Sequence, residues 1–183
     1  KSDYIGEEMF DIALDALVEF VYHMSLLAPV KTISCRGNHW GCGDSILFKA
    51  ISLYFKDQKN MEFIISKAPA VSFRERNTLC IASHGAHDSI KAQFGPGNKI
   101  QAYIQSLMLH AMENEKGITS KAAWFGDRHH LEVKEYNDFT YYLCPSLVGS
   151  DEYSDALGLC SRSAQSAFLI DDTGVKATFN YYF

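Results

Sequence analysis

Three short polar segments carry residue types that can bind metal ions or transfer protons, and each follows an apolar run. They are Gly37-Asn38-His39, His84-Gly85 and Gly126-Asp127-Arg128-His129-His130. In the first segment, the amide oxygen of Asn38 suits a divalent ion, and the imidazole of His39 can donate a proton near neutral pH. The other two segments add imidazole and carboxylate ligands without a thiolate, which favours manganese, iron, zinc or a similar ion over a structural zinc.

The elements that precede these segments explain how their side chains could meet. Apolar runs at 30–34, 78–82 and 122–125 are each short and bounded by turn residues, which is typical of buried strands. A glycine beside each run lets the chain turn as the strand ends. Open α/β sheets bind ligands outside the carboxyl ends of their strands, so strand ends in one sheet would bring these residues together.

The remaining periodicity predicts an α/β fold. An apolar face at 10, 14, 17, 21 and 24 predicts a helix over 7–27, which Pro29 ends. Further helices are expected from Asp44 or Ser45 through Tyr54 and over 99–115. Strands are expected at 61–65, 70–74 and 77–83. After residue 125 the pattern becomes antiparallel, with hairpins at 131–144 and 167–182.

Bulk composition limits the classes of protein. A chain of 183 residues with 47% hydrophobic and 21% charged residues predicts one globular domain over 1–183. A net charge of −5 argues against a protein that binds nucleic acid through its own charge alone, although bound metal cations could supply the positive charge that such binding needs. Five cysteines without a Cys-x-x-Cys pair indicate neither a disulfide framework nor a zinc knuckle, so we expect a cytoplasmic, reducing setting. No membrane span is expected.

With these motifs the sequence resembles the calcineurin-like metallophosphoesterases, and within them the exonuclease-type members related to SbcD and Mre11. Gly37-Asn38-His39 matches the family's Gly-Asn-His-Asp/Glu motif, with Trp40 in place of the acid. His84-Gly85 matches the single-histidine motif, and 126–129 match Gly-His-x-His, with Asp127 in place of the first histidine. The resemblance implies a metallophosphoesterase-like β-sandwich of mixed sheets flanked by helices, incomplete at its N-terminal side.

The resemblance also implies a cofactor and residue roles. It implies two divalent metal ions, with Mn²⁺ as the first expectation and Fe, Zn or Mg as alternatives. The implied metal ligands are Asn38, His84, Asp127 and His129. His39 would be the acid that protonates the leaving oxygen or steadies the phosphoryl group. Substrate contacts are expected from Arg36, Arg128 and His130, since a guanidinium matches phosphate oxygens bidentately.

The family's opening motifs, Asp-x-His and Gly-Asp-x-x-Asp/Asn, do not occur before Gly37. We therefore expect an N-terminal segment or a second chain to supply the missing ligands, and a homo-oligomer stays open. The implied function is a nuclease that hydrolyses DNA phosphodiester bonds. A phosphomonoesterase, a small-nucleotide phosphodiesterase and a non-catalytic binding scaffold of the same fold are the alternatives. Taken alone, Asn38-His39 could be an ordinary turn after a strand, and His84 a histidine beside a glycine turn.

Overall fold

The computed structural model describes residues 6–37, 40–85, 99–112, 116–127, 129–149 and 162–183. It divides into two units, which meet in sequence between Ala68 and Pro69. The expectation of one domain over 1–183 stays a prediction.

The first unit alternates helices and strands. Its elements are α1 (Glu7–Ser25), β1 (Val30–Ser34), α2 (Gly43–Tyr54) and β2 (Met61–Ile65). Strands β1 and β2 pair in parallel, from Val30 opposite Met61 to Ser34 opposite Ile65. Parallel strands need a crossover between them, and α2 lies in that connection. The carboxyl ends of both strands therefore lie at the same edge.

The core of the first unit confirms four positions of the apolar face predicted for α1, at 10, 14, 17 and 21, whereas Met24 is 42% exposed. Val21 of α1 is buried with Leu47, Ile51 and Phe55 from α2 and its C-terminal end. The half-buried residues packed around them include Leu14, Leu17, Val18 and Phe63. α1 ends at Ser25, two residues before the predicted boundary, ahead of Pro29, which disfavours helical backbone at the residue before it.

The second unit is built on a mixed sheet. Its strands are β3 (Ala70–Glu75), β4 (Thr78–Ser83), β5 (Ser120–Phe125), β6 (Glu132–Glu135), β7 (Thr140–Leu143), β8 (Ala164–Asp171) and β9 (Gly174–Tyr182), and its helix is α3 (Lys99–Met112). Five of these strands form a sheet in the order β3-β4-β5-β7-β6. The three central strands run in parallel, and the two edge strands are antiparallel to their neighbours.

The two faces of this sheet are covered by different elements. Phe125 and Leu79 lie in a buried cluster with Ile104 and Met108 of α3. Trp124, the neighbour of Phe125, contributes to the other face, because successive strand residues point to opposite sides. There the ring of Trp124 meets Phe168 of β8 with centroids 5.5 Å apart. The second unit therefore has a helix on one face of the sheet and a hairpin on the other.

Strand pairing corrects one expectation and confirms another. Strand β1 was expected in one sheet with β4 and β5, but in the described residues β1 pairs with β2 in a separate two-stranded sheet. Both predicted hairpins are antiparallel, β6 with β7 and β8 with β9, and β7 also lies in parallel beside β5. Local periodicity does not encode which distant strands become neighbours, so the error concerns pairing. No helix in the described part of the chain is long and apolar enough to cross a membrane.

Candidate metal centre

His84 and Asp127 meet because β4 and β5 are parallel neighbours. Ser83 is paired with Phe125 at the carboxyl ends of the two strands, and the Gly126 N–H donates to the Ser83 carbonyl over 3.2 Å. The chain leaves both strands at the same edge. Nε2 of His84 then lies 3.7 Å from Oδ1 of Asp127. The predicted convergence of these two residues is therefore present in the structure.

The separation of His84 and Asp127 fits two ligands of one metal ion. A distance of 3.7 Å between Nε2 and Oδ1 is too long for a hydrogen bond. An ion about 2.0–2.2 Å from each atom would span that gap at a bond angle of roughly 120°. The side chains are 31% and 17% exposed, so the pair is sheltered yet open to solvent on one side. An imidazole and a carboxylate are suitable donors for zinc or manganese.

The turn after β4 is fixed by a residue that the sequence analysis did not select. Oγ of Ser83 donates to the Pro69 carbonyl over 2.8 Å and accepts the Gly85 N–H over 3.2 Å. Gly85 has φ +92°, and a Cβ there would lie 3.3 Å from the Gly126 carbonyl oxygen. The glycine thus allows the two turns to approach closely. The position of Ser83 in the sequence, between an apolar strand and His84-Gly85, could have indicated this role.

The loop after β5 carries backbone strain. Asp127 has φ +64° and His129 has φ +59°, both in the left-handed region. This conformation is uncommon outside glycine, although Asp and His adopt it more often than most residues. Such strain is concentrated at functional sites in proteins. His129 is exposed, and within the described residues no three His, Cys, Asp or Glu side chains form a metal-binding group. The role of His129 as a ligand stays a prediction.

His130 lies at the start of the hairpin that follows this loop. Its Nε2 is 3.7 Å from Oε2 of Glu132, and the other carboxylate oxygen, Oε1, accepts a hydrogen bond from the Tyr141 hydroxyl. Burial, with that hydrogen bond adding to it, raises the pKa of Tyr141 above its ordinary value. Glu132 was missed by the sequence analysis. Glu132 is paired with Leu143 across the hairpin, so its diagonal contact with Tyr141 can be recognised only once the register is known.

Several predicted site residues lie elsewhere. Asn38, His39 and Arg128 lie outside the described residues, so their roles stay predictions. Arg36 is an exposed residue of the first unit, just after β1. Trp40, which stands where the family motif has an acid, packs its ring against Phe10 with centroids 6.0 Å apart. That position therefore contributes packing.

Cysteine reactivity offers a test of the environment beside β7. Burial raises the pKa of the Cys144 thiol from 9.0 to about 11, whereas Cys42 is exposed. Only the thiolate reacts with iodoacetamide. At pH 8 we expect Cys42 to be alkylated much faster than Cys144, and labelling of Cys144 should increase as the pH rises towards 11. Peptide mass spectrometry after timed labelling measures both rates.

The raised pKa of Cys144 also predicts how the stability of the protein changes with pH. The folded state holds the thiol proton more tightly than the unfolded state, so the stabilising contribution is fully present below about pH 9 and is lost as the pH rises through about 11. Cys144→Ala should therefore reduce the steepness with which stability falls over that range. Equal labelling rates for Cys42 and Cys144 at pH 8 would show that Cys144 is not shielded.

No protein-family model matches the chain, and no curated protein matches it significantly. Among solved structures, wild-type Vps29 complexed with Zn²⁺ from Entamoeba histolytica matches with a TM-score of 0.51 and 13% identity, over 90% of this chain and 87% of that one. A single-site mutant of Entamoeba histolytica Vps29 matches with a TM-score of 0.50 and 15% identity, over 100% of this chain and 92% of that one.

A predicted phosphoesterase from Streptococcus pneumoniae matches more weakly, with a TM-score of 0.38 and 8% identity, over 84% of this chain and 97% of that one. At these identities the two Vps29 matches show the fold alone. The predicted fold class is confirmed: this chain has a mixed α/β fold, with a mixed sheet flanked by helices, like that of Vps29.

Proposed function

We propose that this protein is a metal-dependent phosphoesterase, and that His84 and Asp127 hold a catalytic divalent ion. The observation that carries the proposal is the 3.7 Å separation of Nε2 and Oδ1 at the ends of two parallel strands. The strained backbone of Asp127 and His129 supports it, because such strain is retained where function requires it. The fold likeness to Vps29, of which one structure is a Zn²⁺ complex, is consistent with a metal site.

A bound divalent ion would polarise a phosphoryl oxygen and lower the pKa of its water. In this proposal Asp127 contributes negative charge to the ion, and His84 contributes a neutral nitrogen. His129 is proposed as a further ligand, and Asn38 as a ligand in a two-metal site. His39 is proposed to protonate the leaving oxygen. The remaining ligands would come from a segment or chain carrying the family's two opening motifs.

The proposed substrate is DNA, as in the SbcD and Mre11 nucleases. The support is the motif resemblance at 37–39, 84–85 and 126–129. Because the chain has a net charge of −5, contact with a polyanion would depend on the bound cations and on local basic groups. Arg128 and His130 are proposed as phosphate contacts in the second unit.

The test is hydrolysis by the whole protein with Mn²⁺, Zn²⁺ or Mg²⁺, and with EDTA as the control. Linear double-stranded DNA, bis-p-nitrophenyl phosphate and p-nitrophenyl phosphate are the substrates. We expect Mn²⁺-dependent release of nucleotides from DNA and cleavage of the diester, both abolished by EDTA. Turnover of the monoester alone would contradict the nuclease and support a phosphomonoesterase. Absence of turnover with all three metal ions would contradict the proposed phosphoesterase activity.

A non-catalytic binding scaffold is the second candidate. Trp40 favours it, because the position of an acid in the family motif is occupied by an indole packed on Phe10. Asp127 in place of a histidine points the same way. Titration calorimetry with Mn²⁺ discriminates the two candidates, since the scaffold predicts no binding at micromolar concentrations.

A further inference from the structure

The first unit contains a large cavity beside α2. Its volume is about 1140 Å³, and its described lining comes from the end of β1, from the start and one face of α2, and from β2. Ligand pockets in proteins commonly measure about 300–1,000 Å³. The cavity is therefore large enough for an organic ligand, and all of its described lining residues belong to the first unit.

The charged side chains at this cavity are all of one sign. Arg36, Lys49 and Lys67 line it, and its described lining contains no Asp or Glu. Within the described residues, none of the three forms a salt bridge with a carboxylate. This is notable in a chain with 22 acidic and 17 basic residues. Three cations without a carboxylate favour a ligand with more than one negative charge.

The strand topology explains why two of these cations are neighbours. Arg36 follows β1 and Lys67 follows β2, and these strands are parallel. The Arg36 N–H donates to the Ala68 carbonyl over 3.0 Å, which ties the two strand exits together. Ligands of open α/β sheets bind outside the carboxyl ends of the strands. The cationic side of the cavity lies at such an edge.

Apart from Ser45 and Ser52, which add two hydroxyl groups, the rest of the described cavity wall is mainly apolar and open. Ile46 and Leu53 lie on one face of α2, seven residues apart, and each is 54% exposed. Phe63 of β2 completes this wall and stacks at 6.4 Å on Phe55 beneath it. A shallow, open apolar wall suits a flat ring better than an acyl chain, which needs enclosure to leave water. Inorganic phosphate alone would make no use of it.

We infer that this cavity binds a nucleotide, with its phosphates at Arg36, Lys49 and Lys67 and its base against Ile46, Leu53 and Phe63. The inference differs from the proposed phosphoesterase activity, because it concerns binding to the first unit and requires no hydrolysis; Arg36, which the family resemblance implies as a substrate contact, is the one residue that the two share. A guanidinium and two ammonium groups match phosphate oxygens, and the apolar wall removes one face of the base from water.

The test is equilibrium binding of ATP and AMP to the whole protein in EDTA, by titration calorimetry. Without divalent ions, binding at the proposed metal centre and turnover do not contribute. We expect ATP to bind at least tenfold more tightly than adenosine, and AMP to be intermediate. No ATP binding at millimolar concentrations would overturn the inference. Binding of a single-stranded oligonucleotide without binding of ATP would also overturn the inference, because the surface would then bind a nucleic-acid strand and not a single nucleotide.

Matched variants locate the site. Lys49→Ala with Lys67→Ala should weaken ATP binding at least tenfold, whereas Lys59→Ala, an exposed lysine of the same unit that does not line the cavity, should change it less than twofold. Leu53→Ala should weaken ATP binding while leaving pyrophosphate binding unchanged. All substituted side chains are exposed, and circular dichroism checks that the variants fold. Equal effects of the lysine variants, or no effect of Leu53→Ala, would overturn the assignment.

Photolabelling gives a second measurement that does not depend on any variant. Irradiation with 8-azido-ATP, followed by peptide mass spectrometry, should place the label within residues 36–67. A label confined to residues 69–183 would overturn the inference.

Discussion

Replacing His84 with alanine should lower the affinity for Mn²⁺ or Zn²⁺ by more than about 100-fold, and phosphoesterase turnover should fall with it. Loss even of an outer partner of a metal ligand commonly costs 10–100-fold, so loss of a ligand should cost at least as much. Nε2 of His84 is 3.7 Å from Oδ1 of Asp127, and the variant leaves the carboxylate without its nitrogen partner on the ion. Metal content by elemental mass spectrometry and affinity by calorimetry measure the effect without an activity assay.

Asp127→Asn tests the second proposed ligand of the same ion with a smaller change of structure. Asparagine tolerates the φ of +64° at this position, so the backbone strain is unchanged while the negative charge is removed. We expect a loss of metal affinity of at least about tenfold, since the remaining amide oxygen is a weaker ligand. His110→Ala, an exposed histidine of α3, is the control and should leave metal affinity unchanged.

His39→Ala should behave differently from His84→Ala. If His39 is an acid, turnover falls severely while metal content is nearly retained. Equal metal loss in both variants would show that the roles were assigned wrongly. Unchanged metal affinity in both His84→Ala and Asp127→Asn would contradict the metal centre.

Replacing Phe125 with alanine should destabilise the second unit by about 3–5 kcal/mol, the range found for buried aromatic side chains cut to alanine. Phe125 is 1% exposed, and its ring lies edge-on to Tyr141 with centroids 6.4 Å apart. Its carbonyl also accepts the Cys144 N–H over 2.7 Å, which joins the ends of β5 and β7. Urea denaturation followed by tryptophan fluorescence measures the change in the free energy of unfolding.

The control for this variant is Phe179→Ala, because Phe179 is the same residue type in the same unit and is 50% exposed. It should cost less than about 1 kcal/mol. Since Phe125 directly precedes Gly126 and Asp127, Phe125→Ala should also weaken metal binding, and Phe179→Ala should not. Equal destabilisation by the two variants would contradict the description of this core.

The buried face of α3 shows how much of the core could be predicted from hydrophobic periodicity. The apolar spacing of this helix predicts Ile100, Tyr103, Ile104, Leu107 and Ala111 as its inward positions. The side chain of Ile100 lies outside the described residues, and the other four are buried or half-buried. Met108, four residues after Ile104, is buried as well, although the sequence analysis did not select it. Spacing gives the direction of a helix face, but the neighbouring strands β4, β5 and β7 decide how wide the buried face is.

The candidate site was predicted in part for a related reason. His84 and Asp127 were selected because each follows a glycine-flanked apolar strand, and they meet because those strands are parallel neighbours. The partners of the site were not selected. Ser83 and Glu132 are ordinary strand residues until the turns and the hairpin register bring them to Gly85 and His130.

The sequence by itself determined where the helices and strands lie and which polar residues follow them, because hydrophobic periodicity and turn residues act within a few positions. Only the tertiary structure decided that β1 pairs with β2 in a separate sheet, that β7 lies in parallel beside β5, and that three cations border one cavity. Strand partners are chosen by hydrogen bonding and packing between distant segments, and that information is spread over the whole chain.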